Sequence, residues 1–166
     1  MGLSRHLLKT RPRQITVASL ARAGTPVGAL LARALRGLGR VDVRHYSISI
    51  IRDRGIDENA LKFILRREGR EPAGLAFVDG WTAKGVIAEE LRRALRRWNA
   101  RQPEPLDESL HVVSDIGGVA DVAATDDDYA IPSGILNATV SGLTSRSILN
   151  AAIGPDDFHG CVFYAE

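Results

Sequence analysis

The amino-acid sequence predicts an α/β fold in which helices flank an open, mainly parallel sheet. Short apolar runs of strand length alternate with segments of helical period between residues 14 and 115. The chain has 166 residues, 45% hydrophobic and 25% charged, which is the composition of an ordinary globular domain with its own core. We therefore expect a single domain over residues 14–166, preceded by a basic extension at residues 1–13.

The first predicted strand and helix form one strand–loop–helix unit. Residues 14–20 read QITVASL, a short apolar run that is typical of a buried strand. The following helix is expected to begin near Thr25 and Pro26, because threonine is a favourable N-cap and proline suits the first helical turn. An apolar face of leucines and alanines then runs to Gly37 or Gly39, where glycine favours the helix end.

Three further strands complete the alternation. Residues 41–51 are rich in β-branched side chains, which favours extended structure, and Asp57 is a suitable cap for the next helix. Residues 75–78 form the third apolar run, with a helix predicted over residues 83–99 and a fourth strand over residues 110–114. Strands that alternate with helices in this way predict parallel pairing.

Three loops follow successive strands, so their side chains are expected to converge on one edge of the sheet. We call them the first loop (residues 19–28), the second loop (52–57) and the third loop (79–85). The candidate site residues in them are Arg22, Gly24, Thr25, Arg52, Arg54, Asp79, Thr82, Lys84 and Gly85. One acid and four cations at one edge suit a phosphorylated sugar that carries Mg²⁺.

The third loop has the pattern of a ribose-and-phosphate site. Asp79 would face sugar hydroxyls, while residues 82–85 would surround a phosphate, since amide groups at a helix N-terminus attract anions. In the first loop, small residues would let backbone amides approach an anion, and Arg22 could add a bidentate contact. Asp115, at the end of the fourth strand, is a further candidate by position.

The charges are distributed unevenly along the chain. Residues 1–101 contain 18 Arg and 3 Lys against 9 acids, whereas residues 102–166 contain one Arg against 11 acids. Such asymmetry indicates a basic region that faces an anionic ligand, a nucleic acid or the acidic part of the chain itself. A non-catalytic nucleotide- or RNA-binding module is therefore the alternative to an enzyme. The arginines of residues 92–97 fit a solvated helix face better than a binding surface.

Other classes of protein find less support. No apolar run reaches the ~18 residues of a membrane span, and the single cysteine, Cys161, excludes an internal disulfide and fits a reducing cytoplasm. A cysteine protease is disfavoured, because His159 lies only two residues before Cys161 and catalytic pairs usually meet across a fold. Asp126, Asp127 and Asp128 fit a solvated loop or helix start, so no metal site is predicted beyond Mg²⁺ that a phosphate ligand brings. An unpaired sheet edge would favour a homodimer.

Five separated segments resemble one bacterial group of predicted phosphoribosyltransferase-like proteins. The segments are residues 19–28 (SLARAGTPVG), 45–61 (HYSISIIRDRGIDENAL), 77–87 (FVDGWTAKGVI), 128–150 (DYAIPSGILNATVSGLTSRSILN) and 153–160 (IGPDDFHG). Members of the group are encoded beside tellurium-resistance and stress-response operons, and some are labelled cysteine protease StiP. The resemblance runs from about residue 14 to the end of the chain, with the segments in matching order.

The resemblance implies a Rossmann-like, type I phosphoribosyltransferase fold and a role in nucleotide metabolism. Such enzymes bind phosphoribosyl pyrophosphate with Mg²⁺ and transfer ribose 5-phosphate to a nitrogen nucleophile, here an unidentified nucleobase or amine. By resemblance, Asp79 would bind the ribose hydroxyls. The remaining roles fall to Arg22 and Gly24 for pyrophosphate, to Thr82, Lys84 and Gly85 for the 5-phosphate, and to Arg52 and Arg54 for neutralising the leaving group.

The chain departs from the family pattern at three positions. Well-studied type I enzymes have a second acid where Gly80 follows Asp79, and relatives more often have glycine at the positions of Ala83 and Asp53. A missing glycine narrows the backbone conformations that a phosphate loop can adopt. We therefore expect ligand binding to be retained more readily than turnover.

Overall fold

A six-stranded sheet forms the centre of the protein in a computed structural model that describes residues 2–11, 13–39, 42–51, 54–128, 147–148, 154–158 and 160–161. Its strands are β1 (Gln14–Ala21), β2 (Asp42–Ile51), β3 (Gly55–Ile56), β4 (Leu75–Thr82), β5 (Leu110–Asp115) and β6 (Val122–Thr125). The helices are α1 (Leu3–Thr10), α2 (Gly24–Leu38), α3 (Glu58–Lys62) and α4 (Val86–Asn99), with a π-helical turn at Phe63–Arg67 and a 3-10 turn at Pro72–Gly74. A separate two-stranded sheet pairs β7 (Ser147–Ile148) with β8 (Gly160–Cys161).

The strand order of the large sheet is β3-β2-β1-β4-β5-β6. All pairings are parallel except that between β2 and β3, which confirms the predicted mainly parallel α/β sheet. From β1 the chain continues to β2 on one side, whereas β4 lies on the other side of β1. Strand order reverses at this point, and ligands of open α/β sheets bind beyond the carboxyl ends of the strands there. The fold therefore directs attention to the edge that follows Ala21 and Thr82.

Two apolar layers cover the sheet, as expected for a parallel sheet buried on both faces. Successive residues of β1 alternate between the layers, because side chains of a strand point to opposite faces. Val17 packs with α1 and α2, whereas Ala18 packs with α3 and α4. Fully buried Leu91 and Leu95 anchor α4 on its side. None of the helices in the described part of the chain is long and apolar enough to cross a membrane.

Helix α1 covers part of the sheet, although the sequence assigns residues 1–13 to an extension. Leu3 and Leu7 are buried in the same layer as α2. Arg11, just after the helix, is buried, and its guanidinium donates to the carbonyl of Leu75 (3.2 Å) and to Asp107 Oδ2 (2.5 Å). These contacts join α1 to the amino-terminal end of β4 and to the loop before β5.

A second buried arginine, Arg70, holds the same amino-terminal edge of the sheet. Its guanidinium donates to Thr16 Oγ1 (2.8 Å) and to the Ile15 carbonyl (3.2 Å) of β1, and it pairs with the carboxylate of Asp42 at the start of β2. Buried charges are retained when they are paired and hydrogen-bonded. Part of the basic excess is therefore structural and lies away from the carboxyl edge.

Local structure departs from prediction at two helix starts. Helix α2 begins at Gly24 with Ala23 as its N-cap, so the predicted Thr25 cap is wrong. Thr25 Oγ1 lies 2.6 Å from Ser47 Oγ of β2, and this contact takes the hydroxyl away from a capping role. Helix α4 begins at Val86, three residues later than predicted, because Gly85 before it is left-handed. The Asp57 cap is confirmed, since its Oδ1 accepts from the Ala60 amide (3.0 Å).

Candidate functional site

The first and third loops meet at the point where strand order reverses. A Cβ atom added to Gly24 would lie 2.9 Å from the Val78 carbonyl oxygen and 3.0 Å from Asp79 Oδ1. Only a residue without a side chain allows the start of α2 to come this close to the end of β4. The approach brings two of the predicted site residues, Gly24 and Asp79, into contact.

Asp79 is the acid at the centre of this arrangement. The residue retains some exposed surface, but Phe77, Val78 and Gly80 beside it in β4 are buried. Burial raises the pKa of Asp79 to about 7, because the carboxylate loses hydration, and the Gly80 amide that donates to Oδ1 (2.7 Å) offsets part of that rise. The carboxyl group therefore titrates near neutral pH, which is common at functional sites.

The first loop places a helix N-terminus beside Asp79. Arg22 is partly exposed in the turn after β1, and its carbonyl accepts from the Thr25 amide (3.0 Å). Helix α2, of 15 residues, starts immediately afterwards at Gly24. The macrodipole of the helix favours an anion at this end. The Thr25–Ser47 contact fixes the loop against β2.

The structure describes residues 54–57 of the second loop. Arg52 and Asp53 lie outside the described residues, so the candidate role of Arg52 stays a prediction. Arg54 is exposed, and its carbonyl accepts from Arg97 Nη2 of α4 (3.3 Å). The backbone of the second loop is thus held by the helix that follows the third loop.

The third loop supplies a second helix N-terminus on the other side of Asp79. Thr82 is buried at the end of β4, and Lys84 is exposed. Gly85 has a φ of +71°, a conformation that residues with a side chain rarely adopt, and α4 starts directly after it. Trp81, between Asp79 and Thr82, is 43% exposed. The third loop can therefore bind an anion at the start of α4 and provide an aromatic contact through Trp81.

A fourth loop, residues 116–121 between β5 and β6, packs on the third loop. A Cβ atom added to Gly117 would lie only 1.9 Å from the Ala83 carbonyl oxygen, so the two backbones are in direct contact. Asp115, at the end of β5, is a candidate by position in the sequence, but this contact was not predicted. The adjacent glycines Gly117 and Gly118, directly after a strand that ends in an acid, are the signal that could have revealed it.

Behind the first loop, two polar side chains support α2. Ser19 Oγ of β1 lies 2.8 Å from His45 Nε2 of β2, and Gly28 of α2 packs directly on both residues. Ser19 is fully buried. Burial, aided by the nearby Arg36, lowers the pKa of His45, so the ring is neutral at physiological pH. The Ser19–His45 pair therefore forms the surface of the sheet on which α2 packs at Gly28.

Most arginines of α4 have partners within the chain. Ion pairs join Arg92 to Asp121 (3.0 Å), Arg96 to Glu108 (3.0 Å) and Arg93 to Glu90 (3.6 Å). These contacts agree with the prediction that residues 92–97 form a helix face rather than a binding surface. The asymmetry of charge along the sequence is therefore partly neutralised in the fold.

Of the remaining candidates, Asp126, Asp127 and Asp128 follow β6 at the carboxyl edge, where Ser114 Oγ of β5 donates to the Asp127 carbonyl (2.5 Å). Asp126, Asp127 and Asp128 form an exposed loop after β6, in which Asp127 Oδ2 accepts from Thr125 Oγ1 (2.9 Å). Within the described residues no group of three or more His, Cys, Asp or Glu could hold a metal ion. His159 and the side chain of Cys161 lie outside the described residues.

Comparison with known proteins relates the chain to one family by sequence. The model of a family described as tellurite-like stress resistance cysteine protease StiP matches residues 1–166. A curated relative, the cysteine protease StiP of Acinetobacter baylyi, is 48% identical over 159 residues, which cover 90% of this chain and 40% of the relative. The chain therefore spans about 40% of the length of the curated relative that it matches.

Solved structures relate it to a second group by fold. The hypoxanthine phosphoribosyltransferase of Trypanosoma cruzi has a TM-score of 0.54 and 17% identity, with 76% of this chain and 74% of that chain covered. The xanthine-guanine-hypoxanthine phosphoribosyltransferase of Helicobacter pylori has a TM-score of 0.52 and 14% identity, with 78% and 80% covered. At these identities the likeness concerns the fold, which is that of the type I phosphoribosyltransferases.

Proposed function

The chain belongs to the StiP family and has a type I phosphoribosyltransferase fold, and on that premise we propose that its carboxyl edge binds phosphoribosyl pyrophosphate. The observation that carries the proposal is the placement of two helix N-termini on either side of one carboxyl group. Helix α2 begins at Gly24, against Asp79, and α4 begins at Val86, shortly after it. A ligand with an anionic group at each end and sugar hydroxyls between them matches this order of groups.

Each end of the ligand has its own set of residues in this proposal. The pyrophosphate would lie at the first loop, with the Arg22 guanidinium and the Gly24 amide as donors. The 5-phosphate would be bound by Thr82, Lys84 and Gly85, together with the first amides of α4. Asp79 would accept hydrogen bonds from the ribose hydroxyls, which a carboxylate does in its ionised form.

The proposed reaction is transfer of ribose 5-phosphate to a nitrogen nucleophile. A bond forms between that nitrogen and C1 of the ribose, and the nitrogen releases its proton to solvent. The bond from C1 to the pyrophosphate oxygen breaks, and its electron pair leaves with the pyrophosphate. Positive charge develops on the ribose ring as the bond breaks, so catalysis depends on positioning and on stabilising the departing anion. Arg22 is suited to the second task by position, and Arg52 and Arg54 remain candidates for it.

The donor set fits Mg²⁺ that arrives with the substrate. No group of three or more His, Cys, Asp or Glu among the described residues could hold a metal ion, and the carboxylate that lies against the first loop is that of Asp79. Mg²⁺ commonly retains waters and is held by one or two carboxylates together with substrate phosphates. In the proposed complex the ion would neutralise charge on the pyrophosphate, and the protein would contact it through few groups of its own.

Titration calorimetry with phosphoribosyl pyrophosphate in the presence of Mg²⁺ tests the proposal. We expect saturable heat from the wild-type chain, loss of binding in Asp79→Asn, and a decrease in affinity of about tenfold or more in Lys84→Ala, where a charge-assisted contact is removed. Lys9→Ala and Glu104→Gln change exposed residues of α1 and of the loop after α4, and both should bind like the wild type. Absence of heat from a folded wild-type protein would refute the proposal.

Proteolysis is the second candidate, favoured by the description of the family and by the name of the relative. Cys161 is the single cysteine of the sequence, so a thiol mechanism within this chain would depend on it. Two measurements on Cys161→Ala separate the candidates: calorimetry with phosphoribosyl pyrophosphate, and hydrolysis of casein. Under the sugar-phosphate proposal this variant keeps its affinity for the ligand. If instead it lost hydrolysis of a casein substrate that the wild type cleaves, the second candidate would be supported.

A further inference from the structure

The fourth loop, residues 116–121, is held from three directions. Asp115, buried at the end of β5, accepts from the amides of Val119 (Oδ1, 3.1 Å) and Ala120 (Oδ2, 2.8 Å). Asp121 closes the loop at its other end, where Oδ2 accepts from the Leu110 amide (2.8 Å). Both oxygens of the Asp115 carboxylate are thus used within the loop, which fixes its backbone.

Helix α4 provides the third attachment. Arg92 Nη2 donates to the carbonyl of Val119 (3.1 Å) and to both carboxylate oxygens of Asp121 (3.0 and 3.1 Å). Charge-assisted contacts of this kind are stronger than neutral hydrogen bonds. Since α4 continues directly from the third loop, Arg92 links the two loops through a helix as well as through their direct contact.

The direct contact between the loops is between backbones. Gly117 lies against the Ala83 carbonyl, where an added Cβ would be 1.9 Å from the oxygen, and an added Cβ on Gly85 would be 3.1 Å from the Val119 side chain. Ala83 and Gly85 are the residues on either side of Lys84. The fourth loop therefore borders the third loop over the stretch whose amides are proposed to bind the phosphate.

We infer that Asp115 and Arg92 are positioning residues for the phosphate end of the site. They hold the fourth loop so that Gly117 and Val119 support the third loop in the conformation that receives a phosphate. The inference rests on the proposed function, because it assigns these residues to the proposed 5-phosphate site. The first loop is held separately, by the Thr25–Ser47 contact on β2 and by the approach of Gly24 to β4.

Separate support for the two ends predicts that each end can be weakened alone. Two ligands measure the ends individually: ribose 5-phosphate for the third loop, and pyrophosphate with Mg²⁺ for the first. Gly117→Ala must move the Ala83 carbonyl by about 1 Å, a displacement that can lower function by up to ~100-fold. We expect it to lower the affinity for ribose 5-phosphate at least tenfold and to leave that for pyrophosphate within about twofold.

Arg92→Gln provides a milder variant with a matched control. It removes the guanidinium that donates to the Val119 carbonyl and to Asp121. We expect the affinity for ribose 5-phosphate to fall roughly three- to tenfold and that for pyrophosphate to stay unchanged. Arg96→Gln, one turn later on α4, removes a comparable pair with Glu108 that does not contact the fourth loop, and should change neither affinity. Equal losses for both ligands, or equal effects of the two arginine variants, would overturn the inference.

Hydrogen exchange supplies a measurement that needs no ligand. Amides of residues 82–85 should exchange faster in Arg92→Gln than in the wild type and in Arg96→Gln, because support of the third loop is lost. Unchanged exchange would overturn the inference even if ribose 5-phosphate binds. Conversely, faster exchange in a wild-type-like fold that binds neither ligand would refute the proposed function and leave the positioning of the third loop established.

Discussion

The carboxyl group of Asp79 combines two properties that a sugar-phosphate site requires. It lies in β4, against the start of α2 and a few residues before α4, and burial raises its pKa to about 7. Ionisation is therefore incomplete at neutral pH in the free protein. A ligand that needs the carboxylate form must displace a proton from part of the population, which couples binding to pH.

Stability should report this titration directly. The pKa of Asp79 is raised from 3.8 in the unfolded chain to about 7 in the fold, so the folded protein binds the proton more tightly. The stabilisation that protonation gives is complete below pH ~4 and is lost as pH rises through 7. We expect the free energy of unfolding, measured with urea, to fall over this interval more in the wild type than in Asp79→Asn. Parallel profiles for the two proteins would contradict the raised pKa.

Ligand affinity should have the opposite dependence on pH. Below a pKa of about 7, binding that requires the Asp79 carboxylate should weaken by up to ~10-fold for each unit of pH. Stability and affinity therefore change in opposite directions between pH ~4 and 7, which separates this effect from general unfolding. The exposed-acid variant Glu104→Gln should follow the wild type in both measurements.

At the level of secondary structure, α1 is an integral part of the sheet layer. Leu7 is fully buried between α1 and the sheet, and Arg11 beyond the helix binds β4 and Asp107. Truncating a buried leucine removes apolar contact and leaves a cavity. We expect Leu7→Ala to lower the free energy of unfolding by about 2–5 kcal/mol, as measured by urea denaturation.

The matched control for Leu7→Ala is Leu30→Ala. Leu30, on α2, is 63% exposed, so its truncation should change the free energy of unfolding by less than ~0.5 kcal/mol. Equal effects of the two variants would show that α1 does not pack on the sheet. It would also contradict the burial of Arg11, which depends on the packing of α1 against the sheet.

The strands and helices that frame the site were predictable because their signals are local. The apolar run before Asp79 and the small residues around Gly24 identify β4 and the end of β1 without knowledge of their neighbours. The predicted end of β4 at residue 78 is wrong, because Asp79, Trp81 and Thr82 pair with β5 and extend the strand to Thr82. The start of α4 at Val86 was not predictable to the residue, because it depends on the left-handed Gly85 and on contact with the fourth loop.

Other features were hidden because their partners are distant in sequence. Arg11 binds Leu75 and Asp107, so the basic start of the chain could not be recognised as part of the sheet layer. Strands β3 and β6, with two and four residues, are too short to give a periodic signal. Arg92 could be placed on a helix face from the sequence, but its contact with Val119 depends on the folded loop.

Over the whole molecule, charge is separated between two edges of the sheet. Buried Arg11 and Arg70 pair with acids at the amino-terminal edge, where they hold α1 and join β1 to β2. At the carboxyl edge, Arg22 and Lys84 lie on loops that precede helix N-termini. Anion binding is therefore expected at the carboxyl edge, which is also where ligands of open α/β sheets bind.

Fluorescence of Trp81 tests the central claim that the carboxyl edge binds phosphoribosyl pyrophosphate. The chain has two tryptophans, and replacing buried Trp98 by Phe leaves Trp81, 43% exposed in the third loop, as the reporter. We predict a saturable change in emission when the ligand is added with Mg²⁺, and no change when Asp79→Asn is introduced into the same background. An emission that stays constant across the titration, in protein that circular dichroism shows to be folded, would contradict the account.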